Sequence, residues 1–135
     1  MIKKYLNFFL ESFENYYIEI NNDRNFAVLI NNGVKFGQAF LSMFDEQVLS
    51  ITGKEITLEF DEKNIYIISI KVEEQYVGKK IGKIFIKLLF EYFGNDKFTF
   101  YSRNHPYWDK VAYKLPYTTF DGKGQYYYIT KEMYL

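Results

Sequence analysis

The segment Glu73-Glu74-Gln75-Tyr76-Val77-Gly78-Lys79-Lys80-Ile81-Gly82-Lys83 holds the residues of this chain best placed to do chemistry. It lies between an extended apolar run, 65–72, and a helical run, 81–93. The first turn of a helix presents backbone N–H groups that have no partner within the helix. The aligned peptide dipoles add about half a positive charge there. Glycines in the preceding turn let a phosphate approach that backbone closely. The segment therefore reads as a pyrophosphate cradle in a cofactor-binding domain.

Other chemistries have less to build on. Cysteine is absent and His105 is the only histidine. Disulfides, thiolate metal sites and cysteine nucleophiles are thereby excluded, and no metal is expected, because a zinc site would need at least two carboxylates at a spacing not found here. No Gly-x-Ser-x-Gly elbow supports a serine triad. Glu73 and Glu74 flank the cradle as solvated charges or as proton acceptors. Ser69, Tyr107 and Trp108 either line a cleft or pack against a sheet, and His105, in Asn104-His105-Pro106, is a base or a helix-start residue.

The elements that must position these groups follow from periodicity. Ile2, Leu6, Phe9, Leu10, Phe13, Tyr17 and Ile20 recur at helical spacing and predict an amphipathic helix over most of 2–20. Asn31-Asn32-Gly33 between the apolar runs 26–30 and 36–44 predicts a hairpin. Thr52-Gly53-Lys54 marks a turn, and 56–60 alternates as a half-exposed strand does. Residues 65–72 begin apolar on both faces, which predicts a central, covered strand. The helix after the glycines places Ile81, Ile84, Phe85, Leu88 and Leu89 on one side, with Gly94 as its C-cap. Residues 98–101 read as a strand. Residues 107–115 read as a short helix, entered at Pro106 and ended by Pro116. Residues 125–130 read as the last strand. Helices alternating with strands imply helices packed on a mixed sheet.

With 135 residues, one domain spanning 1–135 is expected. Lys+Arg and Asp+Glu are both 17, so net charge gives no general attraction to nucleic acid or to anionic membranes. No run reaches the roughly 20 apolar residues of a membrane span. Glu11 and Glu14 interrupt the N-terminal apolar run before it can act as a secretion signal. A soluble cytoplasmic protein is the expectation. Aromatic residues reach 21%, while arginine occurs only at 24 and 103. Codon bias toward Lys, Ile, Asn, Phe and Tyr explains this better than stacking platforms for single strands.

Gln75-Tyr76-Val77-Gly78-Lys79-Lys80 at a strand-to-helix junction, with Tyr113-Lys114-Leu115-Pro116-Tyr117 downstream, resembles the GCN5-related N-acetyltransferase (GNAT) superfamily over roughly 56–131. Its motif is Gln/Arg-x-x-Gly-x-Gly/Ala, and its later segment reads Tyr-x-Lys-Leu-Gly-Phe. Lys80 replaces the second glycine or alanine, and Pro116 replaces the later glycine. The resemblance implies an α/β (α+β) fold with a mixed, mostly antiparallel twisted sheet flanked by helices. It implies acetyl-CoA as cosubstrate, with the backbone of Val77, Gly78, Lys79, Lys80, Ile81, Gly82 and Lys83 on the pyrophosphate. The strand edge at Ile70, Lys71 and Val72 would pair with the pantetheine arm. It further implies Tyr113 as proton donor to the leaving thiolate and Glu59 as a candidate base. The acceptor would be a primary amine, on a small molecule or a protein. An alkylamine with pKa near 10.4 is only about 0.04% neutral at pH 7, so a site must remove its proton, directly or through water, or keep the amine neutral by desolvation. A non-catalytic binding module, or a protein that blocks a macromolecular partner, is the alternative. Monomer and homodimer are both compatible with the sequence, Tyr126-Tyr127-Tyr128 offering a dimer edge.

Overall fold

Alternation of apolar and polar residues organises most of this chain into strands. The computed structural model describes residues 3–6, 15–42, 46–51, 54–59, 63–78, 80–103, 106–118 and 122–134. The strands are β1 (Lys3–Leu6), β2 (Tyr16–Ile20), β3 (Phe26–Asn31), β4 (Val34–Ser42), β5 (Glu46–Ile51), β6 (Lys54–Glu59), β7 (Asn64–Val72), β8 (Lys97–Arg103), β9 (Tyr113–Thr118) and β10 (Gly124–Thr130). The helices are α1 (Ile81–Phe93) and α2 (Pro106–Val111). Among the described residues, eight strands form one sheet in the order β1-β2-β3-β4-β7-β8-β10-β9, and β5 and β6 form a separate hairpin. Every neighbouring pair in the large sheet is antiparallel except β7–β8, so the sheet is mixed and mostly antiparallel.

Several sequence expectations hold. Asn32 and Gly33 both take positive φ, 51° and 77°, and close the β3–β4 hairpin as a two-residue turn of the primed type. β7 is central, with Ile65, Tyr66 and Ile67 buried. α1 runs over the expected span and ends at Gly94, whose φ of 65° is the left-handed C-cap. Thr52 and Gly53 of the expected turn Thr52-Gly53-Lys54 lie outside the described residues.

Two expectations fail. The helix expected over 2–20 is replaced, where described, by β1 and β2. In Tyr16–Ile20 a two-residue alternation overrides the helical spacing: Ile18 and Ile20 are fully buried while Tyr17 and Glu19 turn away from the core. Pairing with β3 decides the outcome, as long-range contacts do for short ambiguous runs. The second helix ends at Val111, and 113–118 is a strand rather than its last turn. Pro116 is tolerated there because β9 is the outermost strand and its outer side needs no donor. The Gln125 amide bridges a register shift between β10 and β9 by donating to the carbonyls of Leu115 (2.5 Å) and Tyr117 (2.8 Å).

The core lies between the sheet and α1. Ile81, Ile84, Phe85, Leu88 and Leu89 of the helix pack with Ile18, Leu29, Leu41, Ile65, Ile67, Phe98 and Ile129. Phe100 and Tyr127 belong to the same cluster and carry Trp108 and Asp109 of α2, so both helices cover one face of the sheet. Gly37 allows this packing. A Cβ there would sit 2.8 Å from the Lys71 carbonyl oxygen and 3.3 Å from the Phe85 ring. Among the described residues no helix is long and apolar enough to cross a membrane. Gly37→Ala is expected to destabilise the fold by about 1–3 kcal/mol through overpacking, which urea unfolding of the variant beside the parent measures.

Candidate functional site

A forced divergence of two strands makes the site. β7 and β8 pair over only three residues, Asn64–Lys97, Ile65–Phe98 and Tyr66–Thr99. Below that point the junction is clamped. The Lys63 carbonyl accepts the N–H of both Asp96 and Lys97 at 3.0 Å, and Thr99 Oγ1 donates to Asn64 Oδ1 at 2.8 Å. Above it each strand stays with its other neighbour. β7 follows β4 as far as Val72–Gly37, and β8 follows β10 as far as Arg103–Gly124. A bulge helps to turn β7 away: Leu41 faces Ile67 and Phe40 faces Ser69, leaving Ile68 without a cross-strand partner. Bulges bend a strand and increase its twist. Ile70 and Val72 then pack toward the helix-covered core. The inner edge of 67–72 thus lines a wedge whose backbone groups have no strand beside them, an arrangement that calls for a hydrogen-bonding partner.

The cradle closes the mouth of this wedge. After β7, Glu73 N–H continues the ladder to the Phe36 carbonyl at 2.8 Å, and residues Glu74–Tyr76 form one 3-10 turn. The Tyr76 ring stacks on Phe36 with centroids 3.8 Å apart at 14°, and Tyr16 meets Phe36 edge-on at 5.4 Å. This aromatic column fixes the turn to β4. Gly78, at φ 86°, then redirects the chain into α1. Lys80, the residue before α1, is left-handed (φ 62°, ψ 19°), and no side chain caps the helix. An L-residue in this region costs about 1–2 kcal/mol. The first turn of α1 contains no Asp or Glu, while Lys80 and Lys83 stand exposed beside it. Cations at a helix N-terminus are unfavourable by up to about 1 kcal/mol each, and an anion there is favourable. The helix start is thus charged and shaped for an anion that, among the described residues, no side chain supplies.

The opposite wall is aromatic. Trp108 meets Phe100 edge-on at 4.7 Å, and Phe100 stacks on Tyr127 at 5.8 Å. The buried Tyr127 hydroxyl donates to Asp109 Oδ1 at 2.5 Å, and Lys114 Nζ lies 3.3 Å from the same oxygen. That hydrogen bond, with Lys114, holds the Asp109 carboxyl below its usual range. Burial, then the bond to Asp109, pushes the Tyr127 hydroxyl up to about 12.

The structure brings some predicted residues together and separates others. Ile70, Lys71 and Val72 line the wedge, and Gly78, Lys80, Ile81, Gly82 and Lys83 form its mouth. Val77 departs from the expected set, because its N–H is taken by the Glu74 carbonyl at 3.3 Å within the turn. Lys79 and His105 lie outside the described residues. Glu59 ends β6 opposite Glu46, in the hairpin rather than in the large sheet. Tyr113 sits on the outer strand, level with Tyr128 and hence with Thr99 at the closed end of the wedge. It is 53% exposed and stacks on Tyr128 at 5.0 Å. It is not brought to the mouth. Phe36 and Asp109 have no signal in the sequence; only the contacts reveal them. Tyr126-Tyr127-Tyr128, expected to offer a dimer edge, lies on β10, which is paired on both sides by β8 and β9 and so presents no free edge. Among the described residues no cluster of three or more acidic or histidine groups could hold a metal.

No family model matches the sequence. No curated protein matches it either. Solved structures do match. The N-acetylglutamate synthase from Neisseria gonorrhoeae, complexed with coenzyme A and N-acetyl-glutamate, aligns at TM-score 0.54 and 13% identity over 79% of this chain. The chain spans only 26% of that protein. A point mutant of the spermidine N-acetyltransferase SpeG from Vibrio cholerae aligns at TM-score 0.53 and 12% identity, covering 84% of this chain and 69% of that one. A chimera of SpeG with hSSAT gives TM-score 0.54 at 12% identity, covering 81% and 69%. The chain has the fold of the GCN5-related N-acetyltransferases.

The Tyr127–Asp109 pair has a pH signature. Tyr127, raised above 10.0, adds stability in full below pH 10 and loses it as pH climbs toward about 12. Asp109, lowered from 3.8, adds stability above that pH and loses it as pH falls further. Tyr127→Phe is therefore expected to flatten the fall of melting temperature between about pH 10 and 12. Tyr134, also raised by burial, keeps part of that fall in both proteins. Thermal melts followed by circular dichroism across this range check it, and parallel profiles would refute the assignment.

Proposed function

We propose that this protein, with the acetyltransferase fold as its frame, binds acetyl-CoA in the wedge and transfers the acetyl group to a primary amine. One observation carries the reading: an uncapped helix start, flanked by lysines and free of first-turn carboxylates, sits at the mouth of an unpaired strand edge. A diphosphate attached to a chain of amides needs those two features side by side. The coenzyme A named in the N-acetylglutamate synthase complex supports the choice of ligand, and the spermidine acetyltransferases support an amine acceptor.

In this proposal the amides of Gly78, Lys79, Lys80, Ile81, Gly82 and Lys83 hold the pyrophosphate, and the ammonium groups of Lys80 and Lys83 add attraction. The inner edge of Ile70, Lys71 and Val72 pairs with the pantetheine amides and fixes the direction of the arm. When bound, acetyl-CoA supplies an activated acyl group as a thioester. An N–H near Val72 donates to the carbonyl oxygen as charge grows there. A C–N bond forms, the C–S bond breaks, the amine gives up a proton and the thiolate gains one. Glu59 is the proposed proton acceptor. Tyr113 is the proposed donor, and from the outer strand it would act through intervening water rather than by contact. The acceptor is a small-molecule or protein amine, and the protein works in the cytoplasm as a monomer or homodimer of a single domain.

The non-catalytic reading is favoured by one observation. β7 and β8 carry no carboxylate, and Asp109 on the opposite wall is already engaged by the Tyr127 hydroxyl and Lys114, so neither wall offers a free acceptor for the amine's proton. Two measurements separate the readings. Acetyl-CoA should raise the melting temperature, by about 2.7 kcal/mol of stabilisation at a hundredfold excess over Kd, and should release thiol across an amine panel. A shift without release would support the binding module, and no shift at millimolar ligand would end both readings. Tyr113→Phe should lower kcat about tenfold with the melting shift intact; an unchanged rate would remove Tyr113 from the mechanism.

A further inference from the structure

Among the described residues both helices cover one face of the sheet, and at the wedge the other face exposes apolar side chains. The bulge turns Ile68 outward until it is 55% exposed. Phe40, opposite Ser69 on the neighbouring strand, is 43% exposed, and so is Tyr101 on β8. Each exposed ring is braced from behind, Phe40 by Phe26 (4.8 Å, 42°) and Tyr101 by Tyr126 (5.8 Å, 53°). Continuing the register that joins Tyr66 to Thr99, Ile68 and Tyr101 would be the next same-face neighbours had the strands not parted. They are therefore the two lips of the wedge. β4, β7 and β8 are successive strands, and strand spacing of about 4.8 Å sets the rings of Phe40 and Tyr101 roughly 10 Å or more apart, room for one planar group between them.

Charge narrows the occupant. The sequences of β4, β7, β8 and β10 contain no Asp or Glu, and β7 and β8 bring Lys71 and Lys97. A polyamine would meet cations and no compensating carboxylate on these strands. A singly charged amine carried on an aromatic body would meet two braced rings and a branched aliphatic, the surroundings in which ring stacking adds to simple burial. We propose that the acceptor of this enzyme is an aromatic primary amine, its ring held by Phe40, Ile68 and Tyr101 on the face away from α1 and its nitrogen reaching through the wedge to the thioester. This rests on the acetyl-CoA reading above.

The test uses the full chain with acetyl-CoA and follows thiol release with 2-phenylethylamine, butylamine, spermidine and a short peptide with N-terminal phenylalanine. The expected result is a kcat/KM for 2-phenylethylamine or the peptide about tenfold or more above butylamine and spermidine. Which of those two leads tells a free amine from a protein terminus. Phe40→Ala, at an exposed position on a strand outside the proposed cofactor contacts, should remove most of that preference while the melting shift with acetyl-CoA stays at the parent value; Tyr101→Ala should do the same. A preference for spermidine, or an aromatic preference untouched by both substitutions, overturns the proposal. So does a normal melting shift with no release from either aromatic amine, which leaves the cofactor reading standing. Absence of the shift overturns the cofactor reading first and this one with it.

Discussion

The parallel contact between β7 and β8 stops after three residue pairs, and the architecture of the site depends on that stop. Each strand has a full antiparallel partner on its outer side, so neither needs the other for its ladder. What joins the two halves of the sheet is local: the Lys63 carbonyl, the Asn64–Thr99 hydrogen bond and the hydrophobic layer under α1. Beyond the clamp, the Ile68 bulge on one side and the Phe100–Trp108–Tyr127 cluster on the other hold the strands apart. The wedge is therefore a built feature with packing on both walls.

Charge and backbone strain gather at its mouth. Lysines flank the positive end of α1, a left-handed lysine precedes the helix, and a glycine with positive φ sets the turn. Each choice costs the isolated fold something, and each favours an anion at the same point. The turn that carries them is fastened to β4 by the Tyr76–Phe36 stack and the Glu73 N–H, so the amides are held in place before a ligand arrives. Preorganisation of this kind lowers the ordering cost of binding.

Much of this was legible in the sequence because it is local. Glycines after an apolar run, then apolar residues at helical spacing, sufficed for β7, the turn and both ends of α1. Asn32-Gly33 sufficed for its hairpin. What depends on distant partners was not legible. Tyr16–Ile20 fits helical spacing and strand alternation equally, and only β3 decides between them. Tyr113 to Pro116 looks like a helix end until β10 and the Gln125 amide capture it as an edge strand. The wedge itself has no signature in any one segment, since it arises from two registers that run out at different places. The Val77 N–H differs for a smaller reason: one 3-10 turn, which no local motif announces, consumes it.

The account stands or falls on where coenzyme A touches the chain. Amide hydrogen exchange, compared with and without a saturating concentration of coenzyme A, reads this directly. Slowed exchange confined to 70–72 and 78–83, with β1 to β3 unchanged, is the predicted result. Protection elsewhere with those amides exchanging at their free rates would contradict it.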